Sequence, residues 1–142
     1  MELVVTITKA SVLEEVFKVT GYTGAKNDDM DRLSSTEDDG ALLTSFYKEG
    51  TSSLSDEVSR FGSLTEEDDA VSKFTFDLPS SWNDKFRTSL QKDMAQYVVS
   101  YVCAKWFNLM KKDEAKHYEG ICEGLSASVA KYLCERKRPS RA

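Results

Sequence analysis

Along Glu2–Thr8 the apolar positions Leu3, Val5 and Ile7 alternate with Val4, Thr6 and Thr8. A period of two in β-branched residues predicts a strand with one apolar face. The period then lengthens: Val12, Val16 and Val19, beside Leu13 and Phe17, make a short helical stripe. Ser11 with Glu14 reads as its capping box, and Gly21 and Gly24 read as its end. Residues 25–35 are polar and acidic with few apolar anchors and predict a mobile loop. Thr36 with Asp39 then opens a second helix, whose stripe Leu43, Phe46, Tyr47, Leu54, Val58 and Phe61 carries it to about Phe61. Gly50 inside that helix costs about 1 kcal/mol relative to Ala and predicts a kink or fraying there.

Gly62 through Asp69 reads as an acidic turn. Val71 to Leu78 puts Phe74, Phe76 and Leu78 on one face and predicts a second strand. Two strands satisfy each other's backbone groups by pairing, and a two-stranded ribbon must pack on helices or on another subunit. The second half of the chain carries the longest pattern. After Pro79, Ser81 with Asp84 caps a helix in which Trp82, Phe86, Leu90, Met94, Tyr97, Val98, Tyr101, Val102, Trp106 and Leu109 recur every three or four residues. Lys111-Lys112-Asp113 is a turn, and Asp113 caps a last helix with the stripe Tyr118, Ile121, Cys122, Leu125, Val129, Tyr132 and Leu133, stopped by Pro139. So short a connection forces an antiparallel hairpin. The expected fold is mainly α: a helical bundle built on a long antiparallel C-terminal helical hairpin, with a small two-stranded β-ribbon. It forms one domain over residues 1–142, with an acidic loop at 25–35 and a basic arm at 136–142.

Composition narrows the class. With 142 residues, 40% hydrophobic and 11% aromatic, the chain has material for one core and is not disordered throughout. No apolar run approaches the ~20 residues of a membrane span, and the acidic start Met1-Glu2 predicts no secretory leader. Three cysteines without a CxxC or CxxH pair read as reduced thiols of an intracellular protein, with Cys103, Cys122 and Cys134 on or near apolar stripes. Net charge is −5, unevenly spread: residues 1–69 carry 16 acids and 6 bases, residues 70–142 carry 8 acids and 13 bases. Charge runs of this kind are either solvated faces or complementary ends through which copies associate head to tail, as rings or filaments.

Candidate chemistry is thin. Asn27, Asp29, Asp31 and Asp38 approach an EF-hand register, but Arg32 stands where the loop needs Gly and position twelve lacks a long Glu. His117 is the only imidazole, without a paired Cys or second His, and Glu114 one turn away supplies only helix-surface electrostatics. Phosphate-binding glycine loops and a nucleophile elbow are absent from the sequence. The expectation is a chain that is not an enzyme and takes no metal or cofactor. Two features remain. Tyr97, Tyr101, Trp106 and Phe107 lie in a helix apolar almost all round, which is either central or covered by another chain, and they are the expected interface residues. Arg136, Lys137, Arg138 and Arg141 form the expected docking arm, for an acidic neighbour or for non-specific contact with DNA phosphates.

The run Tyr101-Val102-Cys103-Ala104-Lys105-Trp106-Phe107, the segment Lys112 to Tyr118, the ending Tyr132 to Pro139 and the early Val19 to Lys26 resemble small virion proteins encoded in the structural modules of tailed phages and prophages of Bacteroidetes. The likeness covers about residues 15–30 and 95–139 and contains no catalytic signature. It implies a head–tail connector (neck or adaptor) protein, a subunit of a homo-oligomeric and commonly twelvefold ring around the DNA channel. Its implied partners are the portal protein and a neighbouring tail or neck protein, in a virion assembled in the host cytoplasm. A tail-completion or tail-terminator protein of the same virion is the neighbouring alternative, and a monomeric protein-binding adaptor domain the more distant one.

Overall fold

The computed structural model describes residues 2–25, 40–68, 70–110 and 112–136. Their order is β1 (Glu2–Thr8), α1 (Lys9–Ala25), α2 (Gly40–Glu57), β2 (Gly62–Glu67), β3 (Val71–Asp77), a 3-10 turn at Asp84–Phe86, α3 (Arg87–Met110) and α4 (Lys112–Cys134). The mainly helical class and the long C-terminal helix pair are as expected from the pattern. The acidic 25–35 loop, the Thr36–Asp39 cap and the EF-hand register at Asn27, Asp29, Asp31 and Asp38 lie outside the described residues, apart from Ala25 at the end of α1.

The sheet has three strands, not two, in the order β1-β3-β2. The expected pair forms: β1 and β3 are antiparallel, with Leu3 opposite Phe76 and Val5 opposite Phe74. The segment read as an acidic turn is instead the third strand, antiparallel to β3 with a bulge between Leu64 and Glu66. Only Leu64 gave it an apolar position, because one face of this edge strand is solvated by Thr65, Glu66 and their neighbours. Its pairing rests on cross-strand chemistry: Thr65 and Thr75 hydroxyls at 2.8 Å, Lys73 Nζ 3.3 Å from Glu66, and Asp68 Oδ1 accepting from the Ala70 and Val71 amides in the turn. Those two amides favour the ionised form and hold the Asp68 carboxyl below its usual range. Gly62 is required for space: a Cβ there would stand 2.1 Å from the Thr75 carbonyl oxygen and 2.8 Å from Phe76 Cα.

Element ends differ from the capping signals. Helix α1 begins at Lys9, whose amide donates to the Ala70 carbonyl at 2.9 Å, so Ser11 lies inside the first turn and is not the cap. It continues through Gly21 and Gly24 to Ala25, since a glycine costs a helix only about 1 kcal/mol and does not break it. Helix α2 stops at Glu57, and the chain turns through Val58 to Phe61 into β2. Gly50 neither kinks nor frays it; Gly50 is buried where α2 meets α3, and a Cβ would lie 3.2 Å from Tyr101 Cδ1 and 3.4 Å from Val98 Cγ1. The residue is small because two helices approach closely there.

Trp82 precedes α3 and is not on it. Asn83 caps the 3-10 turn, accepting from the Lys85 amide, and α3 starts only at Arg87. The Trp82 indole donates to the Tyr132 carbonyl at 2.8 Å, and Trp82 forms an antiparallel bridge with Arg136. That bridge, with the Asn83 amide donating to Glu135 O, ends α4 at Cys134, five residues before Pro139. Asp113 lies in the first turn of α4, which begins one residue earlier at Lys112. Phe107 stacks on Tyr118, Cys122 reaches Tyr97, and Trp82 reaches Tyr132, an order that runs α3 and α4 antiparallel.

The core lies between the inner face of the sheet and α3. Leu3, Val5, Ile7, Phe74 and Phe76 face Val12 and Val16 of α1, Leu43, Tyr47 and Leu54 of α2, and the length of α3. The Tyr47 hydroxyl, 2.8 Å from Ser72 Oγ and 3.3 Å from the Ile7 carbonyl, is the buried polar link between α2 and the sheet. Burial pushes its ionisation up. No described helix is long and apolar enough to cross a membrane.

Candidate functional site

Helix α3 was expected to leave aromatic surface for another chain. Three of its four expected interface residues are instead enclosed within one copy: Tyr97 is 4% exposed, Trp106 1% and Phe107 0%. The helix is apolar almost all round because α1, α2, α4 and β1 all pack against it. A central helix needs that breadth in a single molecule, so these side chains are core and not contact surface. Tyr101 alone is part-exposed, with Lys105 Nζ 5.5 Å from its ring centre.

What Tyr101 reaches is a groove. Helices α2 and α4 flank α3, and between them lie three hollows of about 240, 460 and 210 Å³: Tyr101 lines the first and second, and Tyr97 and Cys122 line the first and third. The floor is Tyr97, tied to Ser53 by a 2.8 Å hydroxyl pair, then Tyr101 and Ala104. One end is closed by Ser126 donating to Glu57 Oε2 at 2.8 Å. The rim is mixed, with acids in excess: Glu49 and Asp56 on α2 and Glu119 and Glu123 on α4 are exposed, and Lys48 and Lys105 stand among them. The charge asymmetry of the sequence therefore does not divide the molecule into an acidic N-terminal and a basic C-terminal end. Acids of α4 join those of α2 along this groove, while Lys85, Arg87, Lys131 and Arg136 are exposed around the other end of the hairpin. Helical spacing on α4 could have shown Glu119 and Glu123 one turn apart on one face; that α2 lies alongside them was not readable from sequence.

Of the expected docking arm, Arg136 is described and Lys137, Arg138 and Arg141 lie outside the described residues. Arg136 is already used: its Nη1 donates to the Leu133 and Glu135 carbonyls at 3.1 Å each, capping the end of α4. That contradicts a free docking role for Arg136 and leaves the other three bases to supply one.

The nucleophile candidates separate by depth. Cys103 is buried, Cys122 half-buried in the groove wall, and Cys134 exposed beside buried Leu133, so the default of core packing holds fully only for Cys103. Burial pushes the Cys103 and Cys122 thiols up to about 12, the opposite of what an attacking thiolate needs. His117 is exposed and meets the Tyr118 ring edge-on. Among the described residues no group of three or more His, Cys, Asp or Glu side chains is arranged to hold a metal ion. A second hollow of about 330 Å³ lies where the outer edge of β1 meets α1 and α3; there the Gln91 amide donates to the Thr6 carbonyl at 3.0 Å and covers part of the strand edge. Compared with known protein families, curated proteins and solved structures, the chain matches none.

Proposed function

We propose that this chain is a non-enzymatic assembly subunit, a head–tail connector or adaptor of a tailed-phage neck that forms a homo-oligomeric ring with the portal protein and a neck or tail protein as neighbours. The virion assignment rests on the sequence resemblance. The structural observation that carries the assembly reading is the acidic groove between α2 and α4, set apart from a cationic hairpin base, on a subunit whose core is complete in one copy. Opposed charges in different places on one molecule favour head-to-tail contacts, which close into rings when the rotation permits. A self-contained core lets each subunit fold before it joins.

The mechanism is association without chemistry: the rigid α3–α4 hairpin holds the groove in shape, and charge sets orientation. Native mass spectrometry with negative-stain electron microscopy of the purified chain tests it. Closed rings with a central opening are the expected result; a monomer at every concentration, with and without a portal protein, contradicts it. The enclosure of Tyr97, Trp106 and Phe107 favours one second reading, a monomeric adaptor domain binding a single protein, and that is the reading a persistent monomer would support. A tail-completion or tail-terminator station is distinguished by which virion protein the ring binds.

A further inference from the structure

The two edges of the sheet are built differently. On β3 the Asp77 amide donates to the Phe61 carbonyl, and the Val71 carbonyl accepts from the Asp68 amide, so residues 71, 73, 75 and 77 turn their backbone groups towards β2. Ser72, Phe74 and Phe76 therefore bond Ile7, Val5 and Leu3, and the N–H and C=O groups of Glu2, Val4 and Thr6 point away from the sheet. The β2 edge is closed: it is bulged, it carries Glu66 and Glu67, and its Leu64 amide donates to Ser55 Oγ of α2 at 3.3 Å. The β1 edge has an unbroken register and neither proline nor lysine. Among the described residues one side chain meets it: the Gln91 amide donates to the Thr6 carbonyl at 3.0 Å, standing where the peptide N–H of a next strand would stand. We infer that the β1 edge is a docking site for an extended segment of a partner protein, which adds a strand to the sheet and takes the place of the Gln91 amide.

The space beside this edge selects the occupant. A hollow of about 330 Å³ lies between α1 and α3, directly beside Thr6 and Ile7. Side chains alternate across a strand, so every second residue of an added strand faces this hollow. Its walls include buried Val12 and Val99 and half-buried Ala95, and Glu15 is the one charged side chain lining it among the described residues. Glu15 belongs to none of the described ion pairs. Arg87 and Lys92 lie beyond Gln91, in the neighbouring hollow. The matching segment has an apolar side chain facing the hollow and, two residues away on the same face, a lysine or arginine beside Glu15. The β1 strand of a second copy does not match: its inward side chains, Leu3, Val5 and Ile7, are at most 3% exposed within their own core, so none is free to enter the hollow. The inference goes beyond the assembly reading and does not depend on it, since the edge serves a ring subunit and a monomer alike.

The test uses the whole chain and a heptapeptide with blocked ends, Thr-Val-Thr-Lys-Thr-Val-Thr, followed by NMR of the backbone amides. Without peptide, the Val4 and Thr6 amides should exchange fast beside protected Val5 and Ile7. Excess peptide should shift and protect them. Val4→Pro removes an outward N–H that no ladder bond uses and should weaken the peptide roughly tenfold, with circular dichroism confirming the fold. N-methylated peptides give a control that leaves the protein untouched: methyl groups on one alternate set of amides should abolish binding, and on the other set should leave it. Glu15→Gln should weaken the lysine peptide about threefold and leave a peptide with threonine in place of lysine unchanged. Equal effects from the two methylated peptides, or Val4 and Thr6 amides unmoved by excess peptide, overturn the inference. It also fails if those amides are protected in the dilute chain without peptide, because the chain then covers its own edge. If they become protected only as copies meet, the occupant is a second copy, and the inference falls while the assembly reading stands.

Discussion

Helices α3 and α4 are nearly equal in length, 24 and 23 residues, and only residue 111 separates them, yet they are used differently. On α3, Tyr97 through Ser100, Val102 through Ala104, Trp106 and Phe107 are all buried, so every side of the helix meets the fold. On α4 only Ala115, Val129 and Leu133 are buried, one narrow stripe against α3, and the rest faces solvent or the groove. The difference separates two meanings of hydrophobicity. The breadth of apolar surface on α3 measures its depth within one molecule. The surface left exposed around α3 is on α4 and α2, where it is charged and marked by a single half-open tyrosine.

Mutations that probe this contrast should differ in scale. Trp106→Ala removes a wholly enclosed ring from α3 and should lower unfolding stability by about 3–5 kcal/mol, measured by urea titration of the unassociated chain. If the stability of the dilute chain hardly changes, Trp106 is not part of a single-copy core. Gly50→Val tests the same helix from the α2 side: its added methyls meet Tyr101 and Val98, and overpacking there should cost about 1–3 kcal/mol. An increase in stability would show that the two helices have room to spare. Ile121→Ala on α4 removes only a half-buried side chain and should cost about 1 kcal/mol; a loss as large as that of Trp106→Ala would erase the distinction between the helices.

The thiols give the contrast without an energy scale. At pH 8 a maleimide or disulfide reagent should modify exposed Cys134 first, Cys122 slowly, and Cys103 on α3 only on unfolding. The same groups set an alkaline limit. Below pH about 9 these thiols stay protonated in both states; between about 9 and 12 the unfolded chain releases protons that the folded chain keeps at Cys103 and Cys122. Stability therefore falls as pH rises through that window, and the raised Tyr47 and Tyr97 hydroxyls add to the fall above pH 10. Cys103→Ala should flatten the slope of stability against pH there; an unchanged slope would show that Cys103 titrates normally.

Much of the fold was legible because its patterns are strict. The period-two runs at Leu3–Ile7 and Phe74–Phe76 are strands that pair, and the long stripes from Leu90 to Phe107 and from Tyr118 to Leu133 are the hairpin. Strand β2 was hidden because an edge strand with one solvated face carries a single apolar anchor, Leu64, among acids that also suit a turn. Gly50 looked like a weak point because the helix–helix contact that requires it comes from residues 98 and 101, far along the chain. The groove was hidden for the same reason. Its acids, Glu49 and Asp56 on one helix and Glu119 and Glu123 on another, become one feature only when tertiary packing lays α2 beside the hairpin.

The enclosure of α3 within one copy is most directly measured by amide hydrogen exchange at two protein concentrations, one well below and one well above association. Residues 94–107 should exchange slowest in the chain at both concentrations, with α4 residues around Glu119 and Glu123 gaining protection only at the higher one. If residues 94–107 exchange freely in the dilute chain and become protected only when copies meet, the helix is completed by a neighbour and the account is wrong.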